Sequence, residues 1–125
     1  MTDRFIELYS KPMVVVIVGL HQQRLYAHKH VLCAISRFFA AALEGGFRES
    51  MADKIRLPDE RPWAVAIFLD WLNRVAFKDV DTDYPELATL CAHLDLCELY
   101  LLGDRLQVPD FRNVVLGAIW QVIDG

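Results

Sequence analysis

Two cysteines and a histidine supply the metal-ligand chemistry that this sequence could carry. Cys91, His93 and Cys97 lie close together, and thiolates and imidazoles are ligands that zinc prefers. In a helix, His93 and Cys97 would share a face, whereas Cys91 would point elsewhere. Because the cysteines also recur on a stripe of leucines, core packing is the favoured interpretation. A small metal-binding domain that uses these three side chains stays as an alternative.

No nucleophilic or calcium-binding arrangement is complete in the sequence. Ser36 and Ser50 have no base at a motif distance, and there is no glycine-rich phosphate loop. Asp79, Asp81 and Asp83 alternate like the first ligands of a calcium loop, but the glycine and the distal glutamate of such a loop are not in place. We therefore expect no enzymatic activity, no cofactor and no metal.

The charge balance argues against a nucleic-acid partner. The 125 residues carry 13 Lys and Arg against 17 Asp and Glu, a net charge of −4, and the cations form no cluster in the sequence. Binding to a phosphate backbone needs several convergent cations.

The chain has the length of a single domain. Its 54% of hydrophobic residues are enough for one core and for a surface that another protein covers.

The N-terminal residues and the cysteines indicate an intracellular protein. Charges at Asp3, Arg4 and Glu7 interrupt the stretch where a signal peptide would be apolar. The longest apolar run, residues 13–20, is far shorter than the ~20 residues that span a bilayer. Three cysteines within apolar sequence favour reduced, buried thiols over disulfides. We expect a protein of the cytoplasm or nucleus with no membrane partner.

The first half of the chain predicts short strands around a helical pair. Residues 13–18 are β-branched and continuous, which predicts a strand covered on both faces. Residues 24–27 can return as the second arm of a hairpin. Ser36 is the expected N-cap of a helix through Leu43. Residues 54–57 alternate between polar and apolar, so a strand with one wet face is expected.

The second half predicts helices. Pro62 opens a helix to about Arg74 that is apolar nearly all round and therefore belongs in the middle of the domain. A second helix follows Pro85, with an interruption expected at Gly103, and a third begins at Pro109.

The predicted fold class is α+β, a small N-terminal sheet flanked by a cluster of helices. Residues 1–12 are interpreted as an N-terminal extension and residues 13–125 as the domain.

The order of residue types between residues 28 and 57 carries a family resemblance. A histidine is followed by a leucine, a serine, paired phenylalanines, a glutamate–serine pair and an alternating strand; these residues are His28, Leu32, Ser36, Phe38, Phe39, Leu43, Phe47, Glu49, Ser50, Ile55 and Leu57. The pattern closely resembles the BTB/POZ domain, above all the compact form that is frequent in fungal proteins. The similarity covers roughly residues 13–120.

The sequence departs from the family pattern at three places. Met13 stands where an aspartate is common, Asn73 replaces a tyrosine after the central helix's tryptophan–leucine pair, and Gly103 replaces an alanine. The fold can survive all three changes. The charged pocket of the transcriptional-repressor members depends on that aspartate, so it is not carried over to this chain.

The resemblance implies a non-enzymatic domain that holds proteins together. Domains of this family usually form two-fold dimers through the N-terminal strand region and the first helix. The residues expected on that dimer face are Val15, Val31, Ile35 and Phe38. In a two-fold interface the same patch serves both partners, so a few apolar side chains contribute twice.

The alternative is a substrate adaptor of a cullin-based ubiquitin ligase. Phe47-x-Glu49 resembles the hydrophobic-x-glutamate motif with which adaptors of this family dock the cullin scaffold. There, an apolar anchor fills a pocket and a rim carboxylate sets the register. A purely structural interpretation is that Phe47 covers the core while Glu49 caps a backbone group or is solvated.

Overall fold

The computed structural model describes residues 13–44, 53–78, 87 and 93–124 of the chain. Within these residues the chain forms three strands and five helices in an α+β arrangement, as predicted. The strands are β1 (Met13–Val18), β2 (Gln23–His28) and β3 (Lys54–Leu57), and the helices are α1 (Lys29–Ile35), α2 (Arg37–Glu44), α3 (Pro62–Lys78), α4 (His93–Arg105) and α5 (Pro109–Asp124).

β1 is the central strand of a sheet with the order β2-β1-β3. It pairs with β2 in antiparallel orientation and with β3 in parallel orientation, so that Val16 lies between Leu25 and Ile55. The alternate residues Val14, Val16 and Val18 are 0% exposed and belong to the main core cluster. The central position explains why the strand is nearly continuous in β-branched residues, as the sequence indicated.

The turn between β1 and β2 depends on a glycine. Gly19 has a φ of +80°, and its carbonyl accepts a 3.2 Å hydrogen bond from the backbone N–H of Gln22. A Cβ atom at Gly19 would lie 3.3 Å from Cδ and Cγ of Pro62, the first residue of α3. A side chain here would therefore strain the backbone and crowd the start of α3.

Ser36 separates α1 from α2 and caps the second of these helices, as predicted. Its backbone N–H donates to the carbonyl of Leu32 at 2.8 Å, which closes α1. Its Oγ accepts a 3.1 Å hydrogen bond from the backbone N–H of Phe39, the N3 position of α2. The cap lets the chain change direction between two short helices without leaving these backbone groups unpaired.

The centre of the core is a cluster of aromatic rings, of which α3 supplies Phe68 and Trp71. The ring of Phe68 stacks at 6.4 Å on Phe39 and meets Phe111 edge-on at 5.2 Å, and Trp71 lies 5.2 Å from Phe111. The central position of α3 is thus as predicted. The helix does not end near Arg74 but continues to Lys78, because Val75 and Ala76 still pack partly against the core cluster.

The predicted interruption at Gly103 is wrong, because α4 continues through this residue to Arg105. A Cβ atom at Gly103 would lie 2.9 Å from Cγ of Arg112 and 3.2 Å from Cδ2 of Phe111. The glycine therefore serves the close approach of α5, which the sequence of α4 alone does not reveal.

α4 ends at Arg105, and Gln107, two residues later, has a φ of +57°. The backbone N–H of Val108 donates to the carbonyl of Gly103 at 2.9 Å, and that of Gln107 donates to Asp104 at 3.1 Å. This pair of bonds is a Schellman motif, in which a left-handed residue follows the helix.

Candidate functional site

Ile35 and Phe38, two of the predicted dimer residues, lie on either side of the Ser36 cap. Both side chains are partly buried and pack against the core cluster. The ring of Phe38 stands edge-on to Phe39 at 5.3 Å, with an angle of 82° between the planes. Ala34 beside them is exposed. The corner between α1 and α2 therefore presents apolar side chains that are held in place but not fully covered.

Val31 and Val15 have different surroundings. Val31 is 7% exposed and belongs to the core cluster, so it supports the α1–α2 corner and offers almost no surface of its own. Val15 is partly exposed and lies on the face of the sheet that alternates with Val14 and Val16. The dimer face stays a prediction, and its accessible residues on the helical corner are Ile35 and Phe38.

We define the outer sheet face as Val15, Ile17, Arg24, Tyr26, Lys54 and Arg56. The register places Tyr26, Val15 and Lys54 in one row across the three strands, and Arg24, Ile17 and Arg56 in the next. Directly paired residues point to the same side of a sheet. Ile17 is 4% exposed yet lies outside the main core cluster, and Tyr26 is 61% exposed.

Sequence reasoning missed the outer sheet face. The residues come from three separate segments of the chain, and only the pairing of β1 with both neighbours brings them together. The available signal was the alternation of Lys54, Ile55, Arg56 and Leu57, which predicted a wet face. It did not show that Arg24 lies in the same row as Arg56.

An open cavity of about 530 Å³ lies beside α1 and the end of α2, lined by Lys29, His30, Cys33, Ala34 and Glu44. Burial, and after it the hydrogen bond and the negative charge of Glu44, raise the pKa of the Cys33 thiol to about 11, and the positive charge of Lys29 lowers it only slightly. Lys29 also pairs with Asp53 at 3.1 Å. A thiol with so high a pKa is a weak nucleophile at neutral pH.

The expectation of buried cysteines is wrong for the two that the structure describes. Cys33 and Cys97 are free thiols with partly exposed side chains. On α4 the buried stripe consists of Leu96, Leu99, Leu102 and Leu106, while Leu101 is 52% exposed. The leucine stripe that was expected to include Cys97 is therefore not the buried face of α4. Adjacent leucines make two phases of the helical period equally apolar, and the sequence does not show which of the two is buried.

The metal alternative cannot be assembled from the described residues. Cys91 and the side chain of His93 lie outside them, which leaves Cys97 alone from the predicted triplet. Within residues 13–44, 53–78 and 93–124, no group of three or more His, Cys, Asp or Glu side chains could hold a metal ion.

The predicted cullin-docking residues, Phe47 and Glu49, also lie outside the described residues. Their proposed role therefore rests on the sequence pattern alone.

Among the helices that are described, none is both long enough and apolar enough to cross a membrane.

Comparison with known proteins agrees with the fold and with the resemblance in the sequence. No curated protein matches the chain. The family model described as BTB/POZ domain matches residues 8–116, which is most of the chain. The cap at Ser36, the central β1 and the aromatic α3 all lie inside this range. The chain therefore belongs to the BTB/POZ domain family, whose members are protein–protein interaction modules and generally not enzymes.

Proposed function

We propose that this BTB/POZ domain joins two copies of its own chain through the α1–α2 corner. Family membership supports an interaction module. The observation that carries the finer proposal is the pair of partly exposed apolar side chains, Ile35 and Phe38, on either side of a buried cap. Because their backbone is fixed on both sides by hydrogen bonds from and to Ser36, little ordering is needed when a partner covers them.

The corner also has small exposed residues through which two helices can approach each other. Ala34 on α1 and Ala41 on α2 are exposed, and the described surface of α1 carries no acidic residue. In a two-fold arrangement each of these side chains would meet the same surface of the second copy, so the small apolar patch is used twice.

The test is the molecular mass in solution, measured by sedimentation equilibrium from about 1 to 100 µM, the range of modest interfaces. The parent chain should be a dimer in the upper part of that range. Ala34→Glu should shift it to monomer, because a charge in a desolvated interface has no partner there. Ala34 is exposed, so the change should leave the melting temperature nearly unaltered.

The matched control is Leu20→Glu in the β1–β2 turn, since Leu20 is 88% exposed and receives the same kind of charge away from the corner. It should remain dimeric. A parent chain that is monomeric at 100 µM (about the upper limit of the range above) would contradict the proposal. Equal dissociation of Ala34→Glu and Leu20→Glu would also contradict it, because it would show that the effect does not depend on the α1–α2 corner.

The adaptor function is the second proposal, carried by Phe47-x-Glu49 inside the matched family range. A purified cullin N-terminal domain is the probe, and affinity is measured by calorimetry. Binding that falls by about tenfold or more in Phe47→Ala, the effect of losing a hot-spot anchor, would support it. Binding that is undetectable for the parent chain would reject it and would leave the dimer proposal untouched.

A further inference from the structure

The outer sheet face concentrates positive charge on an acidic protein. Arg24 and Arg56 are exposed, and Lys54 is partly exposed. None of the six positions of this face is acidic, although the whole chain has a net charge of −4. In the described part of the chain, the face is thus a local reversal of the overall charge.

These three cations differ from most other described cations in having no counter-ion among the described residues. Among the described side chains, Lys29, Arg61, Arg74, Arg105 and Arg112 each form an ion pair within 4 Å. Arg24, Lys54 and Arg56 form none with the described residues, and among the arginines and lysines seen there only Arg37 shares this property. Of the four described cations that form no ion pair with a described residue, three therefore lie on one face of one sheet.

The arrangement brings two exposed like charges near each other. Arg24 and Arg56 flank Ile17 in the same row, which places their backbones about 9–10 Å apart, twice the spacing of neighbouring strands. Like charges at this distance repel when no anion lies between them. An anionic partner would remove that repulsion and gain attraction from both arginines.

An exposed aromatic residue completes the surface. Tyr26 is 61% exposed and pairs with Val15, which is itself partly exposed, while Lys54 stands on the other side of Val15. The first row thus has the apolar surface of Tyr26 and Val15 with a cation, Lys54, at its edge. The second row has two cations on either side of a buried isoleucine. Such a mixture of apolar and charged groups fits a polypeptide better than it fits a simple ion.

We propose that the outer sheet face binds an extended acidic segment of a partner protein. The two rows are about 7 Å apart along the strands, the distance of two residues, so carboxylates at alternate positions of an extended peptide match their spacing. An apolar side chain of the same segment would lie over Tyr26 and Val15. Three cations on a chain of net charge −4 are too few for a nucleic-acid backbone.

Ala34, Ile35 and Phe38 are not among the residues of the outer sheet face, although Val15 of the predicted dimer face is, so the inference goes beyond the proposed dimer at the helical corner. A domain that pairs with itself at the helical corner and binds an acidic segment on the sheet could hold two partner chains side by side. The affinity for a bivalent partner would then exceed that of either site alone.

The probe is a synthetic twelve-residue peptide made of two Glu-Ser-Glu-Ser-Leu-Ser repeats, in which the Glu and Leu side chains share one face of an extended chain. Its binding to the full chain is measured by calorimetry in 50 mM and 300 mM salt. We expect binding that weakens as the salt concentration rises, because screening shortens the range of the attraction. The same peptide with Gln in place of Glu should bind at least roughly tenfold more weakly. Amide shifts in NMR spectra of the parent chain should map to Val15, Tyr26 and Lys54.

Charge reversal supplies the matched comparison. Arg24→Glu and Arg56→Glu should each weaken binding by roughly fivefold or more, the effect of replacing an attractive pair by a repulsive one. Arg37→Glu makes the same change at the unpaired cation that lies off this face and should leave affinity within about twofold. Thermal melts of all three should stay close to the parent.

Four results would overturn the inference. The first is an absence of peptide binding by the parent chain at 50 mM salt. The second is an equal loss of binding in Arg37→Glu, which would show a nonspecific effect of net charge. The third is a change in molecular mass caused by Arg24→Glu or Arg56→Glu, and the fourth is an oligonucleotide that binds as well as the peptide. Either of these last two would assign the face to a different occupant.

Discussion

The hydroxyl of Ser36 donates a 2.7 Å hydrogen bond to the backbone carbonyl of Leu106, which lies 70 positions further along the chain. The same oxygen accepts the backbone N–H of Phe39, so both hydrogen-bonding functions of the hydroxyl are used. Ser36 is 0% exposed, and water therefore does not compete for either bond. The α1–α2 corner, which carries the proposed dimer face, is fixed in this way to the C-terminal end of α4.

Replacing this serine should be among the most damaging small changes in the domain. We expect Ser36→Ala to lower the free energy of unfolding by about 2–3 kcal/mol, since it removes a helix cap and leaves the buried Leu106 carbonyl unpaired. Urea denaturation measures the loss. Asn113→Ala is the control, because Asn113 is exposed on α5, and it should change stability by less than about 0.5 kcal/mol. A Ser36→Ala variant as stable as the parent would show that the Leu106 bond contributes nothing.

Two helical glycines should respond in opposite directions to the same substitution. Gly103→Ala should destabilise the domain by about 1 kcal/mol or more, because the new methyl group would press on Arg112 and on the ring of Phe111. Gly117→Ala should stabilise it by about 0.5–1 kcal/mol, since a Cβ atom there meets nothing within 4 Å and alanine favours the helix. Urea denaturation of both variants checks this. If Gly103→Ala were also stabilising, the close approach of α5 would not be what the glycine serves.

The sequence predicted those elements whose signals are local. The β-branched run of β1, the alternation of β3 and the hydroxyl at Ser36 each have one dominant structural meaning, and the structure has the two strands and the cap. The prediction that both faces of β1 are covered holds only in part, because Val15 is partly exposed. The order of residues around Ser36 also carried the family, which the match over residues 8–116 confirms.

What the sequence could not predict depends on packing between distant segments. The sequence of α4 alone predicts that Gly103 interrupts the helix, whereas in the structure the glycine leaves room for Phe111 of α5. The phase of the buried stripe on α4 depends on where α5 packs, which is why Cys97 was placed in the core. The outer sheet face depends on strand pairing that joins Arg24 to Arg56 through Ile17. None of these relationships has a signal within one helix or strand.

The ion pair between Arg105 and Glu60 should contribute more to the free energy of unfolding than the exposed pair between Arg61 and Glu98 does. Nε and Nη2 of Arg105 lie 2.7 and 2.6 Å from the two carboxylate oxygens of Glu60, and the side chain of Glu60 is only 12% exposed. The hydrogen bond to Glu60 raises the pKa of the Arg105 guanidinium further above its ordinary value. This two-point geometry joins the segment before α3 to the end of α4 and cannot be reproduced by a lysine.

We expect Arg105→Lys to cost about 1 kcal/mol of the free energy of unfolding, because one of the two bonds is lost and the carboxylate stays largely covered. The control is Arg61→Lys in the adjacent pair with Glu98, whose side chains are 65% and 37% exposed. It should cost no more than a few tenths, roughly 0.3 kcal/mol, as exposed pairs do. Chemical denaturation of both variants decides the matter, and equal losses would mean that burial of Glu60 has no energetic consequence.

Cys33 should react slowly with alkylating reagents at neutral pH and much faster in alkali. Its pKa of about 11, raised first by burial and then by Glu44, leaves little thiolate at pH 7, and the thiolate is the reactive form. The rate of iodoacetamide labelling at Cys33, followed by peptide mass spectrometry, should rise about tenfold per pH unit between pH 8 and pH 10. Glu44→Gln removes the negative charge and replaces the charged acceptor by a weaker amide oxygen, and both changes disfavour the protonated thiol. The substitution should therefore lower the pKa of Cys33 and speed labelling at pH 8 by roughly two- to tenfold. Asp110→Asn removes an exposed charge at the start of α5 and should leave the rate unchanged. A rate that responds equally to both variants would show that Glu44 acts only through the net charge of the domain, and not through its position at the cavity beside Cys33.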